Sequence, residues 1–358
     1  MKKNITILGC GRWASFHAWY QATHLKNNVL MWGRSGDPIY ENLSITRKND
    51  FWQLPEDVLL ISDLDKALGH SDYIFVIISA QGMRSFSKEI AKTLQNVFEK
   101  YIDENPSGVP NCKTFVLCMK GIDEQTNQTL TQTLRDAITD ELSSVNEHLS
   151  KICVWVGPGH IQEFLEGQPG VMLVDGEDKE IVQRIATEFR SDTMKLYVGD
   201  DLIGAEIGAA AKNVLGIAAG ILDGSGMPSL KGALMARGVY EVSKLVQAMG
   251  GKQLTAYGLS HLGDFEATLF SHNSHNRRFG EELIKLITEN NWHGPNYYRG
   301  YLAEGVATSI ALQNLAKKYS VSMPICDMVY KVIHEKKDPF TGFKELFLRD
   351  NVNEFGEN

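Results

Sequence analysis

Residues 202–224, LIGAEIGAAAKNVLGIAAGILDG, are small and apolar almost throughout and carry one lysine, Lys212, with Asn213 beside it. An ammonium group in such surroundings loses hydration, which favours its neutral form and brings proton exchange closer to neutral pH. A lysine snorkelling from a buried helix to water would leave the same local pattern. What gives the lysine meaning is the start of the chain. ITILGCGRWA places Gly9, Gly11 and Ala14 directly after an apolar, strand-like run and at the opening of a helix-like one. This is the GxGxxA form of the dinucleotide fingerprint. The first glycine allows the tight turn, the second lets backbone approach a pyrophosphate, and the small third residue lets helix pack on strand. A helix N-terminus then offers N–H groups and a favourable dipole to the anion. At the end of the second strand, about 20 residues further on, an acid would select NAD. The chain reads Trp32-Gly33-Arg34-Ser35 there instead. Arg34 suits a 2′-phosphate, so the expected cofactor is NADP(H) or NAD(H) with NADP(H) favoured; a solvated loop arginine is the alternative.

Other residues could join this chemistry. Lys120 follows the apolar run TFVLCMK, at the carboxyl end of a predicted strand, where open α/β sheets place ligands; an exposed strand-end lysine reads the same way. Asp264 lies in HLGDF, read as a glycine-bounded turn, from which it could position Lys212 or accept from a substrate hydroxyl. In SHNSHNRRFGEEL, Asn276, Arg277 and Arg278 supply donors near the start of a helix and suit a phosphate. A basic turn paired with Glu281 and Glu282 is the alternative. His261, His272, His275 and His293 have no Cys or acidic partner at ligand spacing, so no metal is expected.

The elements that must position these groups fall into two halves. Apolar runs at 4–8, 29–33, 73–79, 114–120, 152–157, 171–176 and 194–199 alternate with helical patterns at 13–25, 83–99 and 127–142. That alternation predicts an α/β fold with a doubly wound, Rossmann-type parallel sheet covered on both faces. Beyond residue 200 the strand signal fades, and helices are predicted at 202–222, 231–249, 278–290, 304–319 and 324–335. We therefore expect a dinucleotide-binding domain over 1–199 and an all-helical substrate domain over 200–358. Residues 34–57 read as an irregular excursion, 101–112 as a surface loop, and the tail after about Arg349 as frayed. The 358 residues carry a net charge of −8 and no lysine–arginine block, which argues against a nucleic-acid partner. Five scattered cysteines indicate thiols in a reducing compartment. The N-terminus shows no signal-peptide cleavage site. A membrane span at 202–222 would bury Glu206 and Lys212 in hydrocarbon, so a cytoplasmic chain without a span is expected. Its small-residue helices leave room for homodimer packing.

Taken together, LGCGRW (8–13), CMKGID (118–123), VGPGHIQEFLEG (156–167), IGAEIGAAAKNVLGIAAGILDG (203–224), ALMARG (233–238), GLSHLGDFEATLF (258–270), NRRFG (276–280), AEGVAT (303–308) and MPICDMVY (323–330) resemble the soluble, bacterial NAD(P)-dependent glycerol-3-phosphate dehydrogenases over nearly the whole chain. The resemblance implies a Rossmann domain, a helical C-terminal domain and an active site in the cleft between them. It also implies exchange of sn-glycerol 3-phosphate with dihydroxyacetone phosphate, a small-molecule phosphate substrate, to supply phospholipid synthesis. By resemblance Lys212, Lys120 and Asp264 are catalytic. Cofactor contacts fall to Gly9, Gly11, Arg12, Trp13, Arg34, Lys120, Ile161, His275 and Glu304. Substrate contacts fall to Lys120, Gly157, Gly159, Lys212, Asp264, Ser274, His275 and Asn276. Three positions depart from the family pattern: His275 stands for the usual Arg, Gly159 for Ser or Thr, and Arg12 for Ser. Reducing a ketone creates an alkoxide, so the site needs a proton donor and charge stabilisation, and a partly desolvated lysine provides both. A reductase of another small 2-keto or β-hydroxy acid, or a non-catalytic dinucleotide-binding protein, are the competing readings.

Overall fold

The computed structural model describes residues 2–49, 53–142, 148–272, 274–298, 303–350 and 353–355. It divides into two compact units, Met1–Met119 with Leu130–Leu202, and Lys120–Thr129 with Ile203–Asn358. The sequence places 120–129 in the first domain, whereas their contacts belong to the second unit, and Ile122 lies in its core.

The first unit is built on strands β1 (Asn4–Leu8), β2 (Asn28–Trp32), β3 (Leu59–Ile61), β4 (Tyr73–Val76), β5 (Lys113–Leu117), β6 (Ser150–Val156), β7 (Gly170–Gly176) and β8 (Met194–Val198). They form one sheet in the order β3-β2-β1-β4-β5-β6-β7-β8. The reversal of strand order between β1 and β4 is the topological switch of a dinucleotide fold, and the Gly9–Gly11 loop leaves β1 at that point. Ile5, Ile7, Ile74, Phe75 and all of β5 are buried, as strands covered on both faces require. Among the described strands every neighbouring pair is parallel except β6–β7. That exception corrects the all-parallel expectation, and its cause is short range. The connecting helix Ile161–Leu165 has 5 residues. At ~1.5 Å per residue it cannot run back along a strand rising ~3.3 Å per residue. The chain therefore re-enters the sheet from the end at which β6 leaves it.

The excursion at 34–57 also needs correcting, because it holds the helix Pro38–Thr46. Asp37 caps it, accepting from Ile39 N at 2.8 Å, and proline takes the first turn. Leu43 is its one buried residue, so no apolar periodicity announces it. Likewise the helix Met83–Glu104 runs into the segment read as a loop at 101–112. Parts of the C-terminal tail lie outside the described residues.

The second unit is helical: Leu202–Gly224, Lys231–Ala248, Asp264–Phe270, His275–Thr288, Glu304–Lys318, Pro324–His334 and Pro339–Phe347. Leu202–Gly224 is its core, buried from Gly204 to Leu222 with few breaks. By length and composition it could span a membrane, but 83% of its most apolar stretch is buried inside the protein. A Cβ at Gly220 would stand 1.9 Å from Arg277 O, and one at Gly280 would stand 2.3 Å from Ile217 O. The two helices thus meet backbone to backbone at their glycines.

Candidate active site

In the first unit the fingerprint loop has the geometry its glycines imply. Gly9 has φ +131°, and a Cβ there would lie 2.1 Å from Ile77 O. Gly11 is the N-cap of the helix Arg12–Thr23 and gives it no capping side chain, and a Cβ on it would meet nothing within 4 Å. The helix has no acid in its first turn. An uncapped helix start beneath open space fits a pyrophosphate, so the residues present suit a dinucleotide. Arg12 is exposed, and half-buried Trp13 stacks on Phe16 with centroids 5.0 Å apart. Arg34 lies two residues past β2, exposed and paired with Glu89 at 2.5 Å, so its charge is already engaged. Gly157 and Gly159 have φ +143° and +145°. A Cβ at 159 would stand 2.1 Å from Phe164 Cζ, and that ring packs against Phe16 at 5.3 Å. The missing serine or threonine at 159 is thus replaced by a phenyl ring filling its place. Ile161, half-buried, opens the helix that carries Phe164.

In the second unit Lys212 sits in the middle of Leu202–Gly224 with its side chain 12% exposed. Its Nζ donates to Thr268 Oγ1 at 2.9 Å and lies 3.2 Å from Asp264 Oδ1. Lys120 Nζ stands 2.5 Å from the other carboxylate oxygen. Asp264 is buried. It does not lie in a turn, as the sequence suggested, but opens the helix Asp264–Phe270 directly after a π-helical turn over Leu259–Gly263. Within that turn, His261 donates from Nδ1 to Gly208 O at 2.8 Å. Burial pushes this imidazole down to about 4, so it stays neutral near pH 7.

The charges of this cluster interact directly. Burial lowers the Lys212 pKa from its ordinary value; Asp264 opposes that shift, Lys120 reinforces it, and Glu304 opposes it more weakly. Burial acts to raise the Asp264 pKa, but Lys120 and Lys212 together hold it below the ordinary carboxylate range. The arrangement is an ionised carboxylate between two ammonium groups, one of them poised to lose its proton more easily than a surface lysine.

Thr268 escaped the sequence reading, and Asn276, read there as a donor, has partners that the reading did not foresee. Thr268 Oγ1 donates to Asp264 O at 2.8 Å, which turns a lone pair towards Lys212. Its position four residues after Asp264, on one helix face, was the available signal. Asn276 Nδ2 donates to Asn213 Oδ1 at 3.0 Å, and Asn276 Oδ1 accepts from Gly305 N at 3.0 Å. Asn213 Nδ2 is left buried with no hydrogen-bond partner among the described residues. Ser274 caps the helix His275–Thr288, accepting from Arg277 N at 3.2 Å, and half-buried His275 is the first residue of that helix. Glu304 opens its own helix and is also half-buried. Arg277, read from the sequence as a donor to phosphate, is already paired on two sides of its guanidinium. Asp223 holds its Nε at 2.6 Å and Glu281 its Nη2 at 2.8 Å, and Lys231 shares Asp223 at 2.6 Å. Among the described residues no group of three or more His, Cys, Asp or Glu could hold a metal ion.

Two family models match in succession. The NAD-dependent glycerol-3-phosphate dehydrogenase N-terminus covers residues 4–182, and the C-terminus of the same family covers 201–344. A glycerol-3-phosphate dehydrogenase (NAD(P)+) of Clostridium botulinum (strain Alaska E43 / Type E3) is 31% identical over 340 residues, spanning 92% of each chain. One from Salinibacter ruber (strain DSM 13855 / M31) is 32% identical over 359 residues, spanning 99% of this chain and 97% of the relative. The crystal structure of a Coxiella burnetii glycerol-3-phosphate dehydrogenase superposes with a TM-score of 0.80 at 23% identity, covering 97% of this chain and 99% of that one, which is a likeness of fold.

Proposed function

Because this chain belongs to the NAD-dependent glycerol-3-phosphate dehydrogenase family, we infer that it interconverts sn-glycerol 3-phosphate and dihydroxyacetone phosphate with NAD(H) or NADP(H). The observation that carries the chemical part is the buried set Lys212, Asp264, Lys120 and Thr268. When bound, the nicotinamide donates or accepts the hydride. The protein's own groups must then manage a proton and a developing negative charge. Lys212 hydrogen-bonds the substrate oxygen and gives it a proton during ketone reduction. In alcohol oxidation, neutral Lys212 takes that proton back. Asp264 offsets part of the desolvation that would strip Lys212 of its charge, and Lys120 keeps Asp264 ionised and orients substrate. Thr268 fixes the direction of the ammonium group. Asn213, held by Asn276, presents its free N–H to a substrate oxygen.

Gly9, Gly11 and Arg12 hold the pyrophosphate at the helix start, and Trp13, Ile161, His275 and Glu304 contribute to cofactor binding. Arg34 supports a preference for NADP(H), provided it leaves Glu89 for the 2′-phosphate. Gly157 and Gly159 offer backbone to the substrate, and Ser274 and His275 lie at a helix start that favours its phosphate. The same reading has the enzyme acting as a cytoplasmic homodimer that feeds phospholipid synthesis. The deciding experiment measures oxidation of NADH and of NADPH separately, with dihydroxyacetone phosphate and with a 2-keto acid lacking phosphate. Turnover confined to the phosphate substrate is expected. Turnover of the keto acid alone would indicate a different reductase, and cofactor binding without turnover would indicate a sensor.

A further inference from the structure

The core helix bearing Lys212 also walls a second cavity. Past Lys212, Ala218, Ile221 and Leu222 line a space of about 430 Å³ within the second unit, together with Leu234, Val332 and Phe343. That volume lies within the roughly 300–1,000 Å³ of small-molecule sites, and the walls are mostly aliphatic and aromatic as such sites are. Three cations also line it: Arg237, Lys244 and Arg349. Arg237 and Lys244 lie over the Tyr240 ring at 4.9 and 5.0 Å, and Arg237 donates to the Glu354 carbonyl. Lys244 and Arg349 make no ion pair within 4 Å among the described residues. The acids lining the cavity are Glu241 and Asp350. Glu241 acts on both Lys244 and Arg349 but offsets them only in part, since its oxygens also accept from Ile325 N at 2.9 and 3.1 Å and from Cys326 N at 3.3 Å, and two lining acids stand against three cations.

We propose that this cavity binds a single-chain aliphatic carboxylate, with the chain among the apolar walls and the head on Lys244 and Arg349. Apolar walls alone would suit many occupants. An excess of cations on an apolar cavity selects an anionic amphiphile, because burying the chain brings the head to positive charge that the lining acids offset only in part. A second copy of this chain seated here would bring its own excess of cations to a surface already cationic, and like-charge juxtaposition opposes that.

The test is calorimetry of the full chain with decanoate and dodecanoate below their aggregation thresholds. We expect one site per chain and a tightening of up to roughly fifteenfold for the two extra methylenes. Dodecyltrimethylammonium, with the same chain and the opposite charge, should not bind. The double variant Lys244→Glu/Arg349→Glu should weaken dodecanoate by about tenfold or more, since charge-assisted bonds to the head are lost. Both side chains are at least partly solvated, so this variant is expected to fold. Val329→Phe, which narrows the cavity, should weaken binding as well. Equal binding of the cationic amphiphile, unchanged binding in the double variant, or no binding by wild type would each overturn the proposal. In the last case, a dimer that Phe347→Asp converts to monomer in sedimentation would identify the face as a contact between copies.

Discussion

Lys212→Met keeps the length and apolar stem of the side chain and removes only the ammonium. The structure bounds what else that change does. Asp264 retains Lys120 at 2.5 Å, so its carboxylate is not left buried without a counter-charge. Thr268 loses the proton it accepts but still donates to Asp264 O. The stability loss should therefore stay below the ~3–5 kcal/mol of stripping a buried ion of its partner. Asp264→Asn should incur that full loss, because it strands two ammonium groups. Turnover is a different matter. A positioned general acid contributes about 10²–10⁴-fold, or about 3–5 kcal/mol of barrier, so Lys212→Met should lose at least about a hundredfold in kcat. Initial rates of NADPH and NADH oxidation with dihydroxyacetone phosphate, with thermal unfolding as a control, separate the two effects. The pH profile adds a sign. Ketone reduction needs Lys212 charged, so the rate falls as pH rises through its pKa, which burial sets below the ordinary lysine value. Removing Asp264 deletes a charge that raises that pKa, so any residual activity of Asp264→Asn should lose its alkaline limb at lower pH. Near-normal kcat in a well-folded Lys212→Met enzyme would refute the assignment.

Two further predictions follow from single residues. Arg34→Ala should weaken NADPH binding by about tenfold or more, the scale of a lost charge-assisted contact, and leave NADH unchanged; equal affinities for NADPH in the two proteins, by titration calorimetry, would remove the basis for cofactor preference. Burial lifts Glu241 from 4.5 to about 7. Between those pH values the folded chain holds a proton that the unfolded chain has released, so stability should fall by about 3 kcal/mol as pH rises across that window. Glu241→Gln should flatten this slope in urea unfolding at a series of pH values, and a slope that persists would exclude Glu241 as its source.

Much of the first unit was legible because its strands are buried on both faces and read as continuous apolar runs, as β5 and β6 do. The direction of β7 was not legible, since a buried strand looks the same running either way. The helix Pro38–Thr46 was hidden by exposure, although Asp37-Pro38 is a cap-and-first-turn pair that local chemistry could have flagged. Residues 120–129 follow a strand of the first unit in sequence, and no local pattern says that Ile122 joins the other core. Lys120 reaches Asp264 through that long-range choice. Lys212 stood out because it is the one lysine in the middle of a long, small and apolar helix. Thr268 did not, and Asn276 stood out only as a donor near a helix start, because their bonds run to partners about 55–65 positions away, which nothing local encodes.

The composition of the core helix accounts for both the geometry of the site and its electrostatics. At Gly208 a Cβ would come within 2.7 Å of His261 Cβ. At Gly216 it would come within 2.9 Å of Thr268 Cγ2, and at Gly220 it would overlap the backbone of Arg277. Each of these glycines meets a segment that carries a site residue: the turn before Asp264, the helix of Thr268, and the helix of Asn276. Larger side chains at those three positions would push apart the groups that now hydrogen-bond at about 3 Å, and a shift of even ~1 Å would lose such bonds. The same close packing excludes water from the stem of Lys212, which is the physical origin of its lowered pKa. Small residues therefore do two jobs with one property, since the absence of volume that lets Asp264 and Thr268 reach the lysine also removes the solvent that would otherwise keep it fully protonated.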